Sequence, residues 1–250
     1  AKLKYTKEKE SKKAKGTKGL KKEEMQAVLL GLTNSGKSSL LKRLTNADPK
    51  IASYGFTTQK PEIGTLKYEN CNIQLIELPP IASEGFDKGI LNNTDLIIIV
   101  VEKIDEIQSI LKEIKSKDLP TSRIIAFNKI DRHDENAKRK ISETLKSKGY
   151  KFVLTSTVNE ESIEELKKKI FKSFDIIRIY TRQPGKKEDN VPVILPPEST
   201  VKDVAEKILH GYSKKVKYAK IWGPSSKFPG QKIGLKHIVK DKDILEFYTD

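Results

Sequence analysis

Residues 25–38 read MQAVLLGLTNSGKS, and this stretch decides the fold. Gly31 to Ser38 match the pattern G-x-x-x-x-G-K-[ST], between an apolar, strand-like run and a helix-like run over residues 37–45. The glycines let successive backbone N–H groups converge on an anion, and the helix start adds further N–H groups. A lysine here suits the β- and γ-phosphates of a nucleotide, and the hydroxyl after it suits Mg²⁺. The candidate phosphate-binding residues are Gly31, Asn34, Ser35, Gly36, Lys37, Ser38 and Ser39.

Strands alternate with helices as far as Phe174. The spacing of apolar residues predicts strands over 25–31, 63–68, 73–78, 95–101, 123–127 and 152–154, and helices over 37–45, 104–117, 134–148 and 162–174. Glu69-Asn70 is predicted to form a hairpin turn between the second and third strands. This alternation predicts an α/β fold with a mostly parallel sheet and helices on both faces.

The pattern changes after Phe174. Short strands are predicted near 176–181, 191–197, 216–222, 233–235 and 244–248, around one helix that Ser199 caps and that runs to about Leu209. Several strands around one helix indicate a small α+β module. We therefore predict a basic flexible arm over 1–24, an α/β domain over 25–175 and an α+β domain over 176–250.

Positive charge is concentrated at the two ends of the chain. The net charge is +15; residues 1–24 hold 10 Lys and 4 Glu, and residues 177–250 hold 15 Lys or Arg and 9 Asp or Glu, so each end carries +6. This distribution favours a polyanionic partner, with RNA as the first candidate and DNA not expected. A lysine-rich surface that only aids solubility is the alternative.

Composition also bears on the compartment. No apolar run approaches the roughly 20 residues that span a bilayer, and residues 1–24 lack the apolar core of a signal peptide. The chain has one cysteine, Cys71, which excludes an internal disulfide and is expected to lie buried beside a strand. We therefore expect a cytoplasmic protein with no membrane partner.

A second motif follows the strand at 123–127. Asn128-Lys129-Ile130-Asp131 lies at the carboxyl end of that strand, where open α/β sheets bind ligands. A carboxylate at Asp131 can accept hydrogen bonds from N1 and N2 of guanine, whereas adenine would leave it unpaired. Thr155-Ser156-Thr157 follows the next strand, and its backbone N–H groups are candidates to bind guanine O6.

Three stretches together resemble the Obg-related GTPases, and in particular the developmentally regulated GTP-binding (DRG) family. They are the loop with the switch-like segment YGFTTQKPEIG at 54–64, the NKID motif at 128–131, and residues 191–250, which are similar to a TGS domain of β-grasp fold. The resemblance implies a ribosome- or translation-associated GTPase that binds GTP and GDP with Mg²⁺ and has a regulatory protein partner. It also implies that Thr58, or Thr57, contacts Mg²⁺ and the γ-phosphate in the GTP state.

The chain departs from that family in three places. Residues 101–121 have room for one helix only, so the domain that DRG proteins insert there is predicted to be absent, and the N-terminal region is shorter. The family's D-x-P-G is replaced by Glu77-Leu78-Pro79-Pro80, followed by Ile81. Glu77 can still reach a magnesium-bound water, but Pro80 has no N–H for the γ-phosphate and Ile81 cannot orient an attacking water.

Several roles remain open on sequence alone. Asn34 either helps to hold K⁺ between the phosphates, as the resemblance implies, or only shapes the loop. Lysines 214, 215, 217 and 220 form either an RNA-facing stripe or a solvated edge guarded against strand pairing. Trp222 either stacks on a base or belongs to the core of the small domain. The preferred hypothesis is a slow GTPase with Lys37, Asn34 and Thr58 as catalytic candidates; the rival is a non-catalytic nucleotide-binding module.

Overall fold

The computed structural model describes residues 24–45, 50–51, 61–81, 83, 86, 89–114 and 122–249. Residues 1–23, which make up nearly all of the basic arm, and Thr57 and Thr58 lie outside the described residues. No helix within the described ranges is long and apolar enough to cross a membrane.

The first sheet has seven strands in the order β2-β3-β4-β1-β5-β6-β7. β1 pairs in parallel with β4 and β5, and the parallel pairing continues through β6 to β7. β2 pairs antiparallel with β3, and β3 with β4. Because four of these six strand pairings are parallel, the sheet is mostly parallel, as predicted. The strands are β1 (Gln26–Gly31), β2 (Lys50–Ile51), β3 (Glu62–Tyr68), β4 (Cys71–Glu77), β5 (Leu96–Val101), β6 (Arg123–Phe127) and β7 (Phe152–Leu154).

Alternating side chains of the central strands fill two separate cores. On β1, Ala27 and Leu29 enter one apolar cluster, while Val28 and Leu30 enter the other on the opposite face. Both faces are covered by helices, which is why β1 and β5 are buried throughout. The helices of this domain are α1 (Lys37–Thr45), α2 (Gly89–Asn92), α3 (Ile104–Glu113), α4 (Glu135–Ser147) and α5 (Glu160–Lys172).

The helices of this domain depart from the prediction in three places: the sequence gives no prediction of α2, α3 ends at Glu113 rather than at 117, and α5 begins two residues earlier than predicted. The side chain of Asn159 accepts a hydrogen bond from Ser162 N at 2.9 Å and caps the helix there. The Glu69-Asn70 turn is confirmed, with φ of 50° and 62° at its two residues. Cys71 is buried at the start of β4, as expected.

Residues 177–249 form a second sheet of five strands in the order β11-β10-β12-β8-β9, with one helix against it. Thr200, not Ser199, caps that helix: its hydroxyl accepts from Asp203 N, and the Asp203 carboxylate accepts from Thr200 N. The strand predicted at 233–235 lies at 231–233, because its register with β10 pairs Ile233 with Ala219. The elements are β8 (Ile177–Thr181), β9 (Val193–Leu195), α6 (Val201–Ile208), β10 (Val216–Trp222), β11 (Gln231–Ile233) and β12 (Ile244–Thr249).

One arginine joins the two sheets. Arg178, at 5% exposure, lies on β8 and donates to both carboxylate oxygens of Asp241 at 3.0 and 2.8 Å. Its Nη1 also donates to Glu69 Oε2 at 3.0 Å, in the β3–β4 turn, and its guanidinium lies 5.1 Å from the Phe171 ring centroid. The hairpin that ends at Glu77 is thus bonded at its far end to the C-terminal domain.

Candidate functional site

The loop between β1 and α1 requires glycine at two positions. Gly36 has φ of 88°, and a Cβ there would lie 2.2 Å from Asn128 Nδ2. A Cβ on Gly31 would lie 2.4 Å from Val100 O. The Lys37 ammonium turns back into the loop and donates to Leu32 O at 2.9 Å. Burial lowers the pKa of Lys37, and the Glu77 carboxylate opposes that shift.

The NKID motif is bonded directly to this loop. Asn128, which is 2% exposed, donates from Nδ2 to Ser35 O at 2.9 Å, and Lys129 Nζ donates to Asn34 O at 2.8 Å. Lys129 has φ of 57°, which turns its side chain back toward the loop. The two motifs, more than 90 residues apart in sequence, therefore form one structural unit.

Asp131 is held in place by Ser156. The Ser156 hydroxyl donates to Asp131 Oδ1, and this bond is the largest cause of the lowered pKa of Asp131. Thr155 N donates to Phe127 O and Ser156 N donates to Ser162 Oγ, so neither backbone N–H is available to a ligand. Within the described ranges, Thr157 N has no such partner. The triplet can therefore offer the N–H of Thr157 to an exocyclic oxygen beside Asp131.

Glu77 and Ser38 meet at the other end of the site. Ser38 Oγ donates to Glu77 Oε1 at 2.7 Å, while Glu77 Oε2 is buried with no hydrogen-bond partner among the described residues. Burial is the main cause of the raised pKa of Glu77, and the Ser38 hydroxyl and Lys37 oppose it. A buried carboxylate oxygen without a donor, next to a serine hydroxyl, is a donor set that suits a hard cation.

The segment after Glu77 offers few backbone donors. Leu78 N donates to Leu29 O at 3.1 Å, and the next two residues are prolines, which have no N–H. Pro80 O accepts from both Ser83 N at 2.9 Å and Ser83 Oγ at 2.7 Å, which closes a turn. Ile81 is buried in the core cluster around α3.

The structure brings most of the predicted residues to one edge of the sheet. Each predicted group lies at the carboxyl end of one strand. The phosphate-binding loop follows β1, Glu77 ends β4, the NKID motif follows β6, and the 155–157 triplet follows β7. Asn34 has φ of 63° and an exposed side chain, and Ser39 is exposed on the first turn of α1.

Sequence reasoning missed two positioning groups. Glu102 forms a salt bridge with Lys129, and Ser162 accepts the backbone N–H of Ser156. Both come from elements away from the motifs, and nothing in their sequence context distinguishes them from ordinary surface residues.

Two family models match this chain. Residues 26–129 match the model described as 50S ribosome-binding GTPase, and residues 177–249 match the TGS domain. The fold and the site thus define a P-loop GTPase domain followed by a TGS domain. The relatives of this chain include GTPase Obg and a developmentally-regulated GTP-binding protein.

The relatives agree with this assignment. An uncharacterized GTP-binding protein of Methanocaldococcus jannaschii is 29% identical over 299 residues, covering 88% of this chain and 76% of the relative. Developmentally-regulated GTP-binding protein 1 of Xenopus laevis is 26% identical, covering 87% of this chain and 80% of its own length. GTPase Obg of Pelagibacter ubique is 34% identical but covers 57% of this chain and 49% of its own length. Because the first alignment spans 299 residues and this chain has 250, that relative carries residues that this chain lacks.

A solved structure matches the first domain. The G domain of the FeoB iron transporter of T. maritima has a TM-score of 0.51 and 29% identity, covering 60% of this chain and 98% of that chain. The match supports a G-domain fold for the seven-stranded part of the chain.

Proposed function

We propose that this chain binds GTP and GDP, hydrolyses GTP slowly, and uses its nucleotide state to regulate association with RNA or the ribosome in the cytoplasm. The observation that carries the proposal is the bonding of the NKID motif to the phosphate-binding loop by Asn128 and Lys129. These bonds fix the distance between a base-reading carboxylate and a phosphate-binding lysine. We take residues 25–175 as the catalytic domain and 176–250 as the domain that adds partner affinity.

In this proposal Asp131 reads the N1 and N2 hydrogens of guanine, and the Thr157 N–H reads O6. The Ser156 hydroxyl keeps the Asp131 carboxylate ionised and oriented, since it donates to Oδ1. An ionised acceptor is needed because both guanine groups are donors. Adenine offers an acceptor at N1 and would face the carboxylate with no hydrogen bond, which excludes it.

Lys37, Ser38 and Glu77 act on the phosphates. Lys37 neutralises the β- and γ-phosphates, and Ser38 and Glu77 are the described residues that would hold Mg²⁺, with Thr58 as the proposed switch ligand outside the described residues. Mg²⁺ held there would supply positive charge to the phosphate oxygens. The Lys37 ammonium would contribute the same kind of stabilisation.

We expect hydrolysis to be slow because of Pro80 and Ile81, which follow Glu77. Pro80 offers no N–H, and the Ile81 side chain is buried and has no polar group with which to orient a water. We propose that Asn34 compensates by helping to hold K⁺ against the phosphates, since its exposed side chain lies on the loop itself.

The rival function, a module that holds guanine nucleotide without turning it over, is favoured by the same Glu77-Pro80 segment. Multiple-turnover phosphate release from GTP, in K⁺ and then in Na⁺ buffer, separates the two. Turnover that is faster in K⁺ and abolished in Lys37→Ala supports the GTPase. Absence of turnover in either salt, with GDP binding intact, establishes the rival. Equal rates in the two salts remove the role of Asn34 in holding K⁺.

A further inference from the structure

One face of the C-terminal sheet carries an ordered array of rings and cations. The rings of Tyr218 and Tyr248 stack with centroids 4.7 Å apart and planes at 11°. Lys232 Nζ lies 4.0 Å from the Tyr218 centroid, and Lys220 Nζ lies 5.0 Å from the Tyr248 centroid. These four residues, here called the lysine–tyrosine cluster, span β11, β10 and β12.

The cluster faces away from the core. Ala219 and Ile221, which alternate with the cluster residues along β10, are fully buried. Tyr218 is paired with Tyr248 in the register of β10 and β12, and Lys220 with Lys232 in that of β10 and β11. Because β10 lies between β11 and β12, Lys220 cannot serve to guard a sheet edge. The edge interpretation of this lysine is therefore wrong.

Cations outnumber carboxylates around the two lysines. Glu246, opposite Lys220 in the register of β10 and β12, lies on the same face at 4% exposure, and its carboxylate accepts from Arg182 Nε at 2.8 Å and from the Tyr248 hydroxyl. This one carboxylate is thus shared between Arg182 and Lys220. Neither Lys220 nor Lys232 forms a salt bridge with any residue that the structure describes. Two ammonium groups are thus held at fixed positions by the rings beneath them.

The rings themselves are already covered. Tyr218 has Lys232 on one face and Tyr248 on the other, and Lys220 lies over Tyr248. The Arg182 guanidinium carbon lies 3.5 Å from the Trp222 centroid and covers one face of that ring, and Trp222 stands outside the core cluster. A base cannot stack on the ring faces that side chains of the same chain occupy. What the face offers to a ligand is positive charge.

We propose that this face binds the phosphate backbone of RNA without preference for the base. The inference rests on the proposed RNA association and names the surface responsible for it. Ammonium groups bind phosphates as point charges, and residues 177–250 carry a net charge of +6, which complements a polyanion.

The test measures the salt dependence of binding. Fluorescein-labelled oligo(U) and oligo(A) of equal length are titrated with the full chain, loaded with GDP, and anisotropy is recorded over a series of KCl concentrations. The variant is Lys220→Gln/Lys232→Gln. The matched control is Lys140→Gln/Lys168→Gln, which removes the same charge from exposed positions on α4 and α5.

The slope of log K against log salt should fall by about 1.4 in the cluster variant, at roughly 0.7 for each phosphate that is no longer neutralised. The control should keep the parent slope, and oligo(U) and oligo(A) should bind the parent within about threefold of each other. An equal fall in the control, an unchanged slope in the cluster variant, or a strong preference for one base overturns the surface proposed here while RNA association stands. A parent that binds neither RNA at low salt refutes the association itself.

Discussion

Arg178 should couple the stability of the C-terminal domain to that of the nucleotide-binding domain. Its side chain is 6% exposed and donates to Asp241 in the C-terminal domain and to Glu69 in the β3–β4 turn. Breaking a buried ion pair costs about 3–5 kcal/mol. Because Asp241 and Glu69 are 41% and 49% exposed and can regain water, we expect about 2–4 kcal/mol for Arg178→Met.

Trp222 is the chain's one tryptophan and lies in the C-terminal domain, so its fluorescence reports the unfolding of that domain. With a urea m-value of about 2 kcal/mol per molar, Arg178→Met should lower the midpoint of this transition by about 1–2 M. GDP at 100 times its Kd stabilises the domain that binds it by about 2.7 kcal/mol. GDP should therefore raise the Trp222 midpoint in the parent, but much less in Arg178→Met.

Arg178→Lys is the matched control, because it keeps the charge but loses the two-pronged contact with Asp241 and should give an intermediate midpoint. The coupling is refuted if GDP raises the Trp222 midpoint equally in the parent and in Arg178→Met. A midpoint that Arg178→Met leaves unchanged would show that the contact between the domains contributes nothing measurable.

Four further predictions concern the nucleotide site. Asp131→Asn should shift preference from guanine to xanthine nucleotides in a competition titration, because an amide can donate to the oxygen that replaces N2. Gly36→Ala should abolish GDP binding in calorimetry, because the new methyl group would meet Asn128 Nδ2 at 2.2 Å and φ is 88°. Glu77→Gln should stabilise the nucleotide-free protein at neutral pH. Burial raises the pKa of Glu77 above its usual value of 4.5, so the ionised carboxylate lowers the free energy of unfolding once the pH exceeds 4.5. The stabilisation by Glu77→Gln should therefore vanish in acid, where the carboxyl group is neutral. Pro80→Gly should raise the preference for a non-hydrolysable GTP analogue over GDP by about 10- to 100-fold in paired titrations, since a charge-assisted hydrogen bond is worth roughly 1.5–3 kcal/mol.

The sequence predicted elements well where local signals agree. The loop motif, the apolar run of β1 and the period of α1 are adjacent, and the structure has all three in place. The sequence does carry the signal for the Thr200 cap: Thr200-Val-Lys-Asp203 is a [ST]-x-x-[DE] pattern, which Ser199 lacks. For the strand predicted at 233–235, the alternation of apolar residues is right, because Ile233 and Leu235 both pack against the core. The bounds of that strand are set by its pairing with β10, which local sequence does not show.

Contacts between distant segments could not be predicted in the same way. The bond from Asn128 to Ser35 joins residues 93 positions apart, and that from Arg178 to Glu69 joins residues 109 apart. Sequence identifies Asn128 by its motif, but nothing local indicates that Arg178 reaches back to the β3–β4 turn. The sequence places Lys220 in a candidate RNA-facing stripe, but its grouping with Tyr218, Lys232 and Tyr248 could not be predicted, because these residues come together only through the pairing of three strands.

The backbone after Glu77 narrows how a γ-phosphate can be recognised. Leu78 N is bonded to Leu29 O, and Pro79 and Pro80 have no N–H, so three consecutive positions cannot donate to a phosphate. The turn that Ser83 closes on Pro80 O further ties this segment to its own chain. Glu77 itself can act only through a cation, since a carboxylate repels phosphate. We therefore expect discrimination between GTP and GDP to come from Lys37, from Thr58 or from the proposed magnesium ligands, unless Pro80 is replaced by a residue with an N–H.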